Sequence, residues 1–141
     1  MDDFNLNRFV EAQADVYDEV LQELLIGQKQ SHWMWFVFPQ LKGLGHSPTA
    51  SFYGIASLAE AREYLSHPLL GARLLECTQL VLDIEGRSAY EIFSSPDDFK
   101  FRSCMTLFQA CEGHSQFFGA ALREYYDNQP DERTLQLLQA K

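Results

Sequence analysis

Two lysines, two histidines and both tryptophans of this chain lie where its acids are missing. The chain holds 20 Asp and Glu among 141 residues, yet the 36 residues between Glu23 and Glu60 contain none. Even spacing would put about five acids in that window. Its first half carries Lys29, His32, Trp33 and Trp35, followed by Gln40, Lys42, Gly43, Gly45, His46 and Ser47. A lysine offers charge, a histidine offers a hydrogen bond or a proton, and an indole offers a stacking face. Together these types suit a small anionic ligand, nucleotide-like or phosphorylated. If that ligand is processed, His32 is the candidate for proton transfer and Lys29 for charge stabilisation. The same run also reads as buried core, with the aromatics packed inside and Lys29 snorkelling outward. The sequence leaves both readings open.

Two further groups of residues join the candidate ligand-binding set of Trp33 and Trp35. Gly43-Leu44-Gly45-His46-Ser47-Pro48 can turn backbone N–H groups toward an anion beside a helix N-terminus, which adds Gly45 and Ser47, with Gln40 just ahead of them. It lacks the Lys-Ser/Thr of a Walker loop and the third glycine of a dinucleotide fingerprint, so a plain turn explains it as well. A second acid-free window runs between Asp98 and Glu112 and holds Lys100, Ser103 and Thr106. Their spacing of three places them on one helical face, either as a pocket wall or with the hydroxyls bonded back to carbonyls four residues earlier.

Other chemistries find no pattern. His32, His46, His67 and His114 lack metal-ligand spacing, so no metal site is expected. No cofactor motif is present either. Cys77, Cys104 and Cys111 form no CxxC pair and read as buried reduced thiols. No nucleophile elbow appears. A net charge of -9 argues against nucleic acid as a partner, because phosphate neutralisation needs a basic face. A polybasic membrane footprint is absent, and no apolar run approaches the roughly 18 residues that span a bilayer. Met1-Asp2-Asp3-Phe4-Asn5 has no basic n-region, so a cytoplasmic location is expected.

Helices must position these residues. Phe9, Val16, Val20 and Leu24 recur at helical spacing and predict one helix from about Asn7 to Ile26, stopped by Gly27. Ser31 can cap a short helix, His32 to Phe38, ended by Pro39; a strand is the alternative, without an evident partner to pair with. Ser47-Pro48 suits the start of a helical turn, and Ser57 with Glu60, and Ser88 with Glu91, suit capping boxes. Pro68 opens a long helix to about Ile84, with His67 read as an N-cap-like or surface residue. Ser95-Pro96 opens another to about Cys111. Ser115 caps the next, through Tyr126, and Pro130-Asp131 starts the last, to Ala140. The expectation is an all-α single domain spanning residues 1–141, of about seven or eight helices of unequal length and unlike a simple up-down bundle.

The run Gly27-x-Lys29-x-x-His32-Trp33-Met34-Trp35-Phe36-x-Phe38-Pro39-Gln40-Leu41, with Gly43-Leu44-Gly45-x-Ser47 after it, resembles the signature of the domain of unknown function 1810 family. His67-Pro68-Leu69-Leu70-Gly71-x-Arg73-Leu74 and Asp98-x-Lys100-x-x-Ser103-x-Met105-Thr106-Leu107-Phe108 continue the resemblance along almost the whole chain. Cys104 stands where a second serine often follows Ser103. The resemblance implies a small, mainly helical protein and no particular activity. Two function classes follow: a small-molecule site, binding or enzymatic, or a protein-interaction module in which the aromatic run is core or a docking patch. Oligomeric state is undecided by the sequence.

Overall fold

The computed structural model describes residues 2–111 and 113–140, and every regular element in it is a helix. In chain order these are α1 (Asn7–Ala14), α2 (Tyr17–Ile26), α3 (Met34–Val37), α4 (Pro48–Tyr53) and α5 (Leu58–Ser66). They continue with α6 (Leu70–Leu82), α7 (Ala89–Phe93), α8 (Asp97–Gln109), α9 (Ser115–Tyr126) and α10 (Glu132–Ala140). The all-α class holds. The count is ten among the described residues, rather than seven or eight, because turns of four to six residues stand as helices and because the first expected helix is two. Asp15 and Val16 interrupt it, and Val16 N–H bonds Gln13 O three residues back. The interruption is silent in the apolar pattern. Phe9 and Val20 are eleven residues apart, which on an ideal helix differs by only about 20° from whole turns. Both are fully buried.

The aromatic run lies in the core. Trp33, Met34, Val37, Phe38 and Leu41 are all buried. Phe38 meets Phe101 of α8 and Phe93 of α7 edge-on, with ring centroids 4.9 and 6.0 Å apart. The helix here is shorter than expected, α3 alone, and Phe38 leaves it ahead of Pro39 as a residue before proline must. The strand alternative shrinks to one parallel bridge between Leu41 and Ile55, with Lys42 N–H to Ile55 O at 2.8 Å and Ile55 N–H to Gln40 O at 2.9 Å.

Capping follows the sequence in part. Ser47 accepts from Ala50 N–H, and Ser88 with Glu91 closes a reciprocal box. His67 Nδ1 accepts from the N–H groups of Leu69 and Leu70 at the head of α6. Ser57 accepts from Glu60 N–H, but the Glu60 carboxylate turns to Ala56 N–H and to Arg8. That buried ion pair, 2.7 Å long, ties α1 to the start of α5, and Arg8 also donates to the carbonyls of Phe4, Asn5, Phe52 and Gly54. Three expected caps are corrected. Ser31 spends its hydroxyl on Glu19 and Glu23, Ser95 on Asp98, and α9 begins at Ser115 behind an uncapped His114. In the middle of the molecule, α8 buries Phe101 and every residue from Ser103 to Phe108, against α5, α7, α9 and α10. The three cysteines are free and buried.

Candidate functional site

The turn that carries Lys29 is built on one carboxylate. α2 stops at Gly27, whose φ of 88° is left-handed and suits glycine. The chain then folds back over Glu23. Its Oε1 accepts from Gln30 N–H (2.7 Å), Ser31 N–H (3.0 Å) and the Trp33 indole N–H (3.0 Å), and its Oε2 from the Ser31 hydroxyl (2.6 Å). Burial alone would raise the Glu23 pKa, but these donors together hold it below the ordinary glutamate value. Lys29 N–H donates to Ile92 O at 2.7 Å and pins the turn to α7. Sequence reasoning treated Glu23 only as the edge of the acid-free window. A usable signal was present, because Val20, Glu23 and Leu24 share the buried stripe of α2 and a carboxylate there needs donors.

Two ammonium groups meet at this turn on a second carboxylate. Lys29 Nζ lies 2.8 Å from Asp97 Oδ2, and Lys100 Nζ lies 3.2 Å from Asp97 Oδ1. Each lysine also rests against an indole. Lys29 Nζ is 5.2 Å from the Trp33 ring centroid, and Lys100 Nζ is 3.7 Å from that of Trp35. Lys29 additionally donates to the Ser31 carbonyl. Its side chain is 7% exposed; those of Lys100 and Asp97 are 17% and 18% exposed. Two cations on one anion leave one positive charge uncompensated at the rim. Asp97 is the first residue of α8, where the helix dipole favours an anion. Nothing local in the sequence marks Asp97 as a partner of Lys29. Lys100, three residues on, was the signal available.

Among the sequence candidates, Lys29, Trp33, Trp35 and Lys100 are therefore brought together. His32 is exposed between Ser31 and Trp33. The Gly45 loop passes over the Trp35 edge. A Cβ added at Gly45 would lie 4.0 Å from the Trp35 Cη2 and 2.9 Å from the Ala50 Cβ, so a side chain there would crowd the approach. Gln40 lends its backbone carbonyl to Ile55, and the Ser47 hydroxyl caps α4. Ser103 and Thr106 are buried. Their hydroxyls donate to Phe99 O (3.0 Å) and Arg102 O (2.8 Å), and Thr106 Oγ1 also accepts from Asp131 N–H at the head of α10. A cleft of about 550 Å³ lies by Asp2, Phe4, Glu63 and His67, and one of about 360 Å³ by Gln109, Gly119 and Arg123. Neither is lined by the two lysines or the two tryptophans.

This fold and cluster define a compact all-helical protein in which no helix among the described residues is long and apolar enough to cross a membrane. The chain belongs to the family described as "Protein of unknown function (DUF1810)", which matches residues 3–138. It is similar to the conserved hypothetical protein Rv1873 of Mycobacterium tuberculosis, whose crystal structure superposes with a TM-score of 0.96 at 56% identity. The match covers 98% of this chain and 99% of that one. No curated protein matches this chain.

Proposed function

We propose that this protein binds a small anionic ligand, nucleotide-like or phosphorylated, at the Lys29–Asp97–Lys100 cluster. One observation carries the reading: two lysines from distant parts of the sequence, each seated on an indole, converge on a single rim carboxylate. Each lysine takes its own Asp97 oxygen, so these three side chains carry one more cation than anion. The surplus charge stands out in a chain of net charge -9. Trp35 supplies aromatic surface beside the charge, and His32 is the solvent-facing group able to carry a proton if the ligand is turned over.

A thermal-shift screen against phosphate, nucleotides, NAD and ADP-ribose tests this, with Lys100→Ala and His32→Ala alongside. Ligand at about 100 times its dissociation constant adds roughly 2.7 kcal/mol to the native state. Stabilisation of the wild type that disappears in Lys100→Ala supports the site. Absence of any shift in the wild type sinks it. A different observation favours an interaction module: Leu25 and Ile26, adjacent at the end of α2, are 71% and 70% exposed beside a cleft of about 370 Å³ with Leu80 and Ile84 in its wall. An empty screen combined with concentration-dependent self-association that Leu25→Ser abolishes would select that reading.

A further inference from the structure

We infer that Asp97 sits in the seat of the ligand's own oxyanion, and that the guest which displaces it is a terminal phosphate monoester. This rests on reading the lysine cluster as an anion site. The bridging geometry is the first support. Asp97 presents one oxygen to each ammonium, at 2.8 and 3.2 Å, as two oxygens of a phosphoryl group would. Exposure is the second. Lys29 is the most withdrawn, its side chain 7% exposed, and needs a counter-charge at all times, whereas Asp97, 18% exposed and level with Lys100 at 17%, stands at the first position of α8, where the chain enters the helix. The neighbouring acids are otherwise engaged. Glu23 and Glu19 are held on the Ser31 side, and Asp98 accepts from Ser95 and from its neighbour's N–H.

Charge then selects the guest. A carboxylate or a phosphodiester carries one negative charge, the same as Asp97, and competes against a tethered rival of high effective concentration. A phosphate monoester is a dianion above its second pKa of about 6 and neutralises both ammonium groups at once. The exchange lets a dianion in and keeps monoanions out. The internal carboxylate is thus a selectivity device, and it makes the wild type bind weakly.

Isothermal titration with phenyl phosphate, diphenyl phosphate and benzoate at about pH 8 reads this directly, on the full chain and on Asp97→Asn, which keeps the side-chain shape without the charge. Phenyl phosphate should bind the wild type at least about tenfold tighter than either monoanion, the margin that one extra charge supports near a protein surface. Asp97→Asn should bind phenyl phosphate at least about tenfold tighter than the wild type does, because the tethered rival no longer competes. Equal affinity in the two proteins, or weaker affinity in the variant, overturns the role given to Asp97 while leaving the anion site standing. Equal binding of monoester and diester overturns the ligand class. No binding of any probe to either protein overturns the anion site itself. The monoester-to-diester ratio is measured on the wild type, so it decides the ligand class even if Asp97→Asn is poorly folded.

Discussion

Replacing Glu23 with alanine removes the acceptor on which the Lys29 turn is hung. Three donors lose their partner: the N–H groups of Gln30 and Ser31 and the indole N–H of Trp33, while the Ser31 hydroxyl retains Glu19. Stranding a buried donor costs about 1–3 kcal/mol, and the indole, in a side chain 1% exposed, takes the full penalty. The two backbone groups sit nearer solvent and recover part of theirs from water. The expected loss is about 3–5 kcal/mol, from a total that for domains of this size is roughly 5–15. At about 4 °C per kcal/mol that is a fall in Tm of roughly 10–20 °C. Glu23→Gln separates geometry from charge. Its amide oxygen has two lone pairs and keeps two of the three donors at Oε1 while its NH2 donates to the Ser31 hydroxyl, so it should cost about 1–3 kcal/mol, less than the alanine variant. The sign of the pH effect follows from the lowered Glu23 pKa. Its contribution is complete above the ordinary value of 4.5 and is lost as pH falls through the lower folded-state value. Urea unfolding of wild type, Glu23→Ala and Glu23→Gln at neutral pH and at about pH 4 measures all of this. An alanine variant within about 1 kcal/mol of wild type would refute the reasoning. So would a glutamine variant whose acid branch is as steep as the wild type's.

Two other perturbations have clear expected outcomes. A Cβ added at Gly71 would lie 1.9 Å from the Leu65 carbonyl oxygen, which is backbone, so Gly71→Ala must force the end of α5 away from α6; a loss above about 3 kcal/mol is expected in urea titration, and a near-neutral variant would show that this junction yields freely. Burial pushes the thiols of Cys77 and Cys111 up to about 12 and about 11, and that of Cys104 well above the ordinary range, so a thiol reagent in native buffer should label none of the three appreciably until urea is added.

The elements were legible where their signals are local. Gly27, the Ser47-Pro48 start and the Ser88–Glu91 box each act within one helical turn, and each stands where the spacing puts it. What failed was set at a distance. Ser31 looks like a cap, but its hydroxyl is claimed by Glu19 and Glu23, twelve and eight residues back on the helix that the turn folds over. The break at Asp15 and Val16 leaves the apolar phase intact, so no count of hydrophobic spacing could register it. Lys29 and Lys100 were each singled out, but their meeting on Asp97 is a property of how α8 lies against the Lys29 turn. The shared face of Lys100, Ser103 and Thr106 was also a local inference. Tertiary packing then gave its members different employment: Lys100 reaches the cluster, while the two hydroxyls bond back along α8 and that of Thr106 also accepts from Asp131 N–H at the head of α10.

The acid-free windows now have a physical account. Each is bounded at or beside the carboxylate that its cations and donors use: Glu23 for the turn and Asp97 for the lysines. Both acids project from the end turns of helices, which fix their positions. An additional acid near Lys29 or Lys100 would offer either lysine a competing partner. For a core segment alone, excluding acids would be explained by burial, but His32 and Lys42 in the same window are exposed and acids there would cost nothing. The exclusion extends past what burial requires, to positions that face solvent, His32 and Lys42 among them. An oxyanion approaching from water meets no fixed negative charge from the window until it reaches Asp97. The rest of the molecule, at net -9, repels it only weakly, because at physiological ionic strength charges more than about 8 Å away are largely screened. On the proposed reading, local arrangement governs which anion this cluster accepts, and Asp97 is the residue through which that arrangement is set.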